Sequence, residues 1–193
     1  MNRHAYVILI VASLGMGCSK KTTQTLPSTL TIDSLYRIDL PDNLVPGYEM
    51  HDYASLQYYD TEELFYVIGL EDSKENLGEI KRKQLKLGGY FDHLQRSAFE
   101  HIDSVRQIAS AEFTNPHGIH IQYGDYYTSG KNLAQMDLFY RISVCENEDY
   151  FYQLVIWMPY DTYCDKIKWI DIISSSLRFI GDTVTSQPII SAD

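Results

Sequence analysis

At 193 residues, with 45% apolar, 22% charged and 13% aromatic side chains, the chain has the make-up of one folded domain plus a short extra segment. Sixteen Lys and Arg stand against 26 Asp and Glu, a formal charge of −10. That balance excludes non-specific nucleic-acid binding, which needs a basic footprint to neutralise phosphates.

The chain opens MNRHAYVILIVASLGMGCSKK: a charged start with Arg3, an apolar stretch over residues 5–16, then Gly17 and Cys18. The apolar run is shorter than the roughly 20 residues that span a bilayer as a helix. Its shape is that of a secretory signal peptide over residues 1–17. The Gly-Cys junction resembles the lipobox of bacterial lipoproteins, with Leu14 one place early, and implies a lipid on Cys18. Several acyl chains on one Cys hold a protein firmly on a membrane, so the expected state is anchored, not spanning. By the same resemblance, the lack of Asp after Cys18 favours the outer membrane, facing the periplasm. The alternative is an incidental cysteine in a leader removed by ordinary cleavage.

Residues 18–32 are polar, Thr/Ser-rich and contain Pro27, and read as a flexible tether. A single globular domain is expected over residues 33–181. Its first strand is 36–40, where apolar and polar residues alternate until Pro41. Residues 55–59 give a second strand, 60–63 a turn and 64–70 a third. Because 64–70 (LFYVIGL) is apolar almost throughout, both its faces should be buried. Residues 71–87 read as a loop passing into a helical stretch that Gly88 and Gly89 break. A helix follows over 90–105, with Phe91, Leu94, Ala98, Ile102 and Val105 as its apolar stripe. Residues 106–118 read as a connector, and 119–127, 133–145 and 150–158 as antiparallel strands. Thr162 and Asp165 suggest a capping box for a last helix running through Ile180 to Gly181. Residues 182–193 read as a loose tail.

Cys145 and Cys164 invite a disulfide in an oxidising compartment, but the order of strand, turn, strand and helix sets them at opposite ends of a strand. Two free, mostly buried thiols are expected, with a reactive Cys164 at a helix start as the alternative.

Three strands, a helix, three strands and a helix (β-β-β-α-β-β-β-α) make an α+β domain: an antiparallel sheet of about six strands sandwiched between helices. The segment Tyr36-Arg37-Ile38-Asp39-Leu40-Pro41 resembles the Y-x-φ-x-φ-P opening strand of PsbP-like and Mog-like domains, φ being apolar. The closing Ser174-Ser175-Ser176-Leu177-Arg178-Phe179 is similar to the end of their last helix, without the direct Ser-Phe pair. DcrB-like bacterial lipoproteins share this fold. The resemblance implies assembly factors, adaptors or accessory subunits, and it carries no catalytic residues to transfer.

The residues themselves offer no nucleophile elbow, zinc helix, C-x-x-C, P-loop or G-x-G-x-x-G. His117 and His120 would point to opposite faces of an extended segment. His93 and His101 lie about 12 Å apart along a helix, too far to share an ion. No cofactor, metal or enzymatic activity is therefore expected. Lys81, Arg82, Lys83 and Lys86 gather four basic residues in an acidic chain. Their plain reading is a solvated helix face, and the alternative a patch for anionic headgroups or an acidic partner. Tyrosine is abundant, 16 residues. Their plain reading is core and strand packing; the alternatives are a protein-contact surface formed by Tyr123, Tyr126 and Tyr127 and a ligand groove. The expected function is that of a membrane-anchored, non-catalytic envelope factor that binds a protein partner. A carrier of a small or lipidic ligand would instead need a deep apolar pocket with groups such as His120 or Gln122 converging on it.

Overall fold

The computed structural model describes residues 27–77, 86–102, 104–130 and 136–181. In chain order the elements are β1 (Pro27–Ile32), β2 (Tyr36–Pro41), β3 (Val45–Pro46), β4 (Leu56–Asp60), β5 (Phe65–Ser73), α1 (Leu87–Ala98), β6 (Val105–Thr114), β7 (His120–Thr128), β8 (Leu138–Glu146), β9 (Tyr150–Pro159), α2 (Tyr163–Ser176) and β10 (Arg178–Phe179). The described strands pair antiparallel in two sheets, ordered β1-β2-β10 and β3-β4-β5-β9-β8-β7-β6. The leader, Cys18, Lys81, Arg82, Lys83 and the tail lie outside the described residues.

The fold is the expected α+β sandwich. Side chains alternate along β8 and β9: in β8 both sets are buried, while in β9 one set is buried and Gln153, Val155 and Trp157 on the other are half-buried beside the buried Phe151. On one face Phe139, Cys145, Leu154, Ile156 and Met158 pack with Ile170 and Ile173 of α2 and with Ile38 and Leu40 of β2. On the other, Ile142, Val144 and Phe151 pack with Leu87, Tyr90 and Phe91 of α1. Each fully buried aliphatic or aromatic side chain contributes roughly 1.5–3 kcal/mol, so the two faces together anchor both helices.

Several boundaries differ from the sequence reading. The tether was expected to reach Ile32, but its last six residues form β1, which pairs with β2 from Pro27↔Pro41 to Ile32↔Tyr36. Asp33 and Ser34 make the connecting turn with positive φ, a backbone region that short polar side chains tolerate. Gly88 and Gly89 do not break a helix. They sit in the first turn of α1, where N–H groups lack intrahelical partners in any case. Their propensity cost, about 1 kcal/mol each, is offset by the burial of Leu87, Tyr90 and Phe91. The helix expected to run to Val105 ends at Ala98. The expected connector, residues 106–118, holds most of the ten-residue strand β6. A bulge between Gln107 and Ala109 breaks the two-residue period that would have announced it.

At the other end, Thr162 does not cap α2 through its side chain. It already has helical φ and ψ, and its hydroxyl donates to the Pro159 carbonyl at 3.0 Å. The helix stops at Ser176, and Arg178 and Phe179 pair with Arg37 and Tyr36. The backbone of β2 outcompetes further helix there.

One buried side chain joins the layers at this end. The Asn115 amide donates to the Leu177 carbonyl at 2.7 Å, while its oxygen accepts the His117 and Ile119 N–H groups, each at 2.9 Å. Asn115 thus shapes the β6–β7 turn and ties it to the end of α2. Replacing it by alanine strands three polar groups away from water, and we expect Asn115→Ala to lower stability by roughly 2–3 kcal/mol. A urea midpoint shift at unchanged slope would show this; an unshifted midpoint would remove Asn115 from this role.

Candidate functional site

Strand β6 is one edge of the large sheet and pairs only with β7 among the described residues. Its side chains are mostly exposed, and the middle, Ala109-Ser110-Ala111, carries no charge and little bulk. A free edge of this length is a template for another extended chain.

Beside it, β7 supplies a row of side chains on the face shared with α2. Residues Tyr123, Asp125 and Tyr127 pair with Ala111, Ala109 and Arg106 in the β6 register. Helix α2 packs on β2, β9 and β8, and in this row Tyr123 and Tyr127 are half-buried while Asp125 between them is buried. Tyr123 stands edge-to-face with Phe113 at 6.0 Å between centroids, and the Arg141 guanidinium lies 4.4 Å over its ring. Tyr127 donates to Asp137 at 2.7 Å, holds Arg106 over its ring at 5.4 Å and meets Tyr160 edge-on at 4.8 Å. Tyr160 stacks on Tyr163, and Tyr163 on Phe139. The aromatic chain therefore runs from the free edge to the start of α2.

Asp125, in the middle of the row, enters a buried ion pair. Arg141 binds Asp125 with two parallel hydrogen bonds, Nε to Oδ1 at 2.6 Å and Nη2 to Oδ2 at 2.8 Å, and reaches Asp171 of α2 at 2.5 Å. The pair is almost fully covered, at 5% and 8% side-chain exposure. Both carboxylates hold the Arg141 guanidinium protonated against the cost of burial. The two-pronged geometry fixes the β7–β8 register, secures α2 and keeps Tyr123 flat as a platform.

The three tyrosines singled out by sequence thus separate. Tyr123 and Tyr127 are half-buried on this face. Tyr126 points to the other side of the sheet, 3% exposed and packed against Phe99 at 4.7 Å. It is part of the core under α1, as the plain reading of the tyrosines has it, and the alternative that placed it on a contact surface is corrected. Burial also pushes its phenol well above the ordinary range. Of the basic group, Lys86 is exposed immediately before α1.

An aromatic alignment escaped sequence reading. Tyr59, Tyr66, Trp157, Tyr140 and Tyr126 are successive register partners across β4, β5, β9, β8 and β7. Tyr66 stacks on Trp157 at 5.1 Å and on Tyr59 at 6.3 Å. These residues are spread through the chain, and only the antiparallel register brings them into line.

Among the described residues no three of His, Cys, Asp and Glu come together as a metal-holding set. No described helix is long and apolar enough to cross a membrane. His117 approaches Arg178, and His120 approaches Glu112.

This arrangement of layers is found in solved structures. Cyanobacterial PsbP (CyanoP) from Synechocystis sp. PCC 6803 superposes with a TM-score of 0.53 over 85% of this chain and 98% of that one, at 13% identity. The chain has the PsbP-like, Mog-like fold. LpqN from Mycobacterium tuberculosis matches at a TM-score of 0.51 and 11% identity, covering 75% of this chain and 83% of that one. A mutant of the protein Mog1 matches at 0.52 and 8%, covering 80% and 96%. No family model matches the chain, and no curated protein matches it. Within the PsbP-like fold, β6 and the tyrosines beside it are this chain's own candidate site.

The two domain cysteines are both free thiols: Cys145 is buried in β8, while Cys164 is exposed at the start of α2, a correction to the expectation that it would be mostly buried. Desolvation drives the Cys145 thiol far above its ordinary range. A thiol reagent at mildly alkaline pH should therefore label Cys164 readily and Cys145 only on unfolding. Peptide mapping after labelling checks this, and equal labelling of both in the native protein would contradict the described packing.

Proposed function

We propose that this protein is a non-catalytic accessory factor of the bacterial cell envelope, held by a lipid on Cys18 at the outer membrane and facing the periplasm. In this reading it binds an extended segment of an envelope protein along β6. The observation that carries the reading is the free ten-residue edge of β6 flanked by Tyr123 and Tyr127. Backbone pairing along such an edge gives affinity, and clefts between neighbouring aromatic side chains select alternate residues of the added strand. The leader ending in Gly17-Cys18 supports the anchor. Support for the envelope role comes from LpqN, a protein of the same fold described as involved in cell envelope biogenesis. The carrier reading finds less support where it was expected. The void between sheet and α2, lined by Ile121, Cys145, Tyr152, Leu154 and Leu177 among others, measures about 10 Å³. That is room for about one water and not for a lipid.

Two measurements test the proposal. Membrane fractionation should find the native protein with the membranes and a Cys18→Ser variant released from them; equal partition of the two would remove the lipid anchor. A photo-crosslinking residue at Ser110 should capture a defined envelope protein in cells, and the same probe at Lys168 on α2 should not. Adding Ala109→Lys and Ala111→Lys should reduce capture about tenfold or more, because charged edge residues repel an added strand. Capture at Lys168 but not at Ser110 would overturn the β6 assignment.

A further inference from the structure

A cleft of about 340 Å³ opens between the β1–β2 turn and the loop from β3 to β4, lined by Asp33, Tyr48, Ser55 and Tyr58 among others. That volume suits a small molecule. Its outer wall is wound around one side chain. The Gln57 oxygen accepts the Met50 and His51 N–H groups at 2.9 and 3.1 Å, and its nitrogen donates to the His51 and Ala54 carbonyls at 2.9 and 3.3 Å. Both ends of Gln57 are thereby engaged in holding the wall.

Behind Ser55 stands Glu71 of β5. The Ser55 hydroxyl donates to the Glu71 carboxylate at 2.5 Å, and the Tyr36 hydroxyl, also turned toward that carboxylate, lies 3.2 Å from the Ser55 oxygen and donates to it. With its proton committed inward and one lone pair taken by Tyr36, the Ser55 oxygen has one lone pair left to offer the cleft. Asp33, on the opposite rim, is a second carboxylate and lies close enough to repel Glu71. Neither takes part in an ion pair among the described residues. Burial, Asp33 and Asp72 raise the Glu71 pKa against the hydrogen bonds from Ser55 and Tyr36, with burial the largest cause. Tyr48 and Tyr58 also line the cleft, and aromatic rings attract cations.

The cleft thus presents acceptors, negative charge and π-faces around a ligand-sized space. Its complement is a donor with positive charge. We propose that this cleft binds a primary ammonium group on a short carbon chain, with Ser55 and Asp33 accepting its N–H groups and Glu71 supplying charge from behind. A quaternary ammonium would leave the Ser55 acceptor unmatched, and a metal ion would find too few ligands.

The test is an NMR titration of the purified protein with n-butylamine hydrochloride, against n-butanol as the neutral isostere and calcium chloride as the metal arm. Nα-acetyl-lysine amide distinguishes a free amine from a lysine side chain on a peptide. We expect saturable shifts of the Ser55, Gln57 and Tyr58 amides with n-butylamine at millimolar concentration or below, and none with n-butanol. Glu71→Gln should weaken binding about tenfold. Asp33→Asn, an exposed change that spares the interior, should weaken it several-fold. Equal binding of amine and alcohol, no saturable shift with either amine, calcium binding the same residues more tightly, or full binding by both variants would each overturn the proposal.

Discussion

The central strands β8 and β9 carry buried side chains on both faces of the sheet, and the remaining architecture follows from that constraint. Phe139, Ile142, Val144, Ile156 and Met158 are at or below 1% exposure, although they belong to opposite faces of one sheet. A sheet of this kind needs a layer on each side. α1 provides one. The other is composite, with α2 over β8 and β9 and the three-stranded sheet closing it through β2. The last described strand, β10, returns to β2, so the small sheet joins residues near the beginning of the described chain to residues near its end. Tyr90 shows how firmly a layer is held. Its ring stacks on Phe151 at 4.2 Å, its hydroxyl donates to Asp72 at 2.5 Å, and Gln153 donates to that same hydroxyl.

The covering layers are narrower than the sheet, and the site arises from that mismatch. α2 spans β8 and β9 but not β6, while α1 packs on β7 and β8. The far edge is left with its backbone available on one side and with aromatic side chains half-covered beside it. Arg141 is the element that makes this margin rigid. A buried ion pair is weak evidence of stability, because desolvation offsets much of the attraction. Its two-pronged geometry does specify a register, and here Arg141 also lies over the Tyr123 ring beside the edge.

Much of the interior was legible in the sequence. The apolar runs at 64–70 and 153–157 marked β5 and β9, although Tyr66, Leu70, Val155 and Trp157 on their second face are half-buried and not buried as expected. The alternation from Tyr36 to Leu40 marked β2. What stayed hidden depends on partners distant in the chain. β1 is Thr- and Ser-rich, and becomes a strand because the turn at Asp33 and Ser34 folds it onto β2. β6 has one pairing partner and a bulge at Ile108, so neither burial nor period reveals it. Of the candidate site, Tyr123 and Tyr127 were visible as a cluster. Their separation from Tyr126 was not, since facing is fixed by strand alternation and by which layer covers each side. The Arg141–Asp125 pair joins two strands whose register no local pattern announces.

Amide hydrogen exchange of the purified protein, read residue by residue, tests the central claim that the sheet is closed at its middle and open along β6. The amides of β8 and β9 should exchange only through global unfolding. In β6, amides pointing toward β7 should be protected, and those alternating with them should exchange nearly as fast as in an unfolded chain. Protection of every amide in β6 to the level of β8 would mean that the edge is already occupied, and would contradict the account.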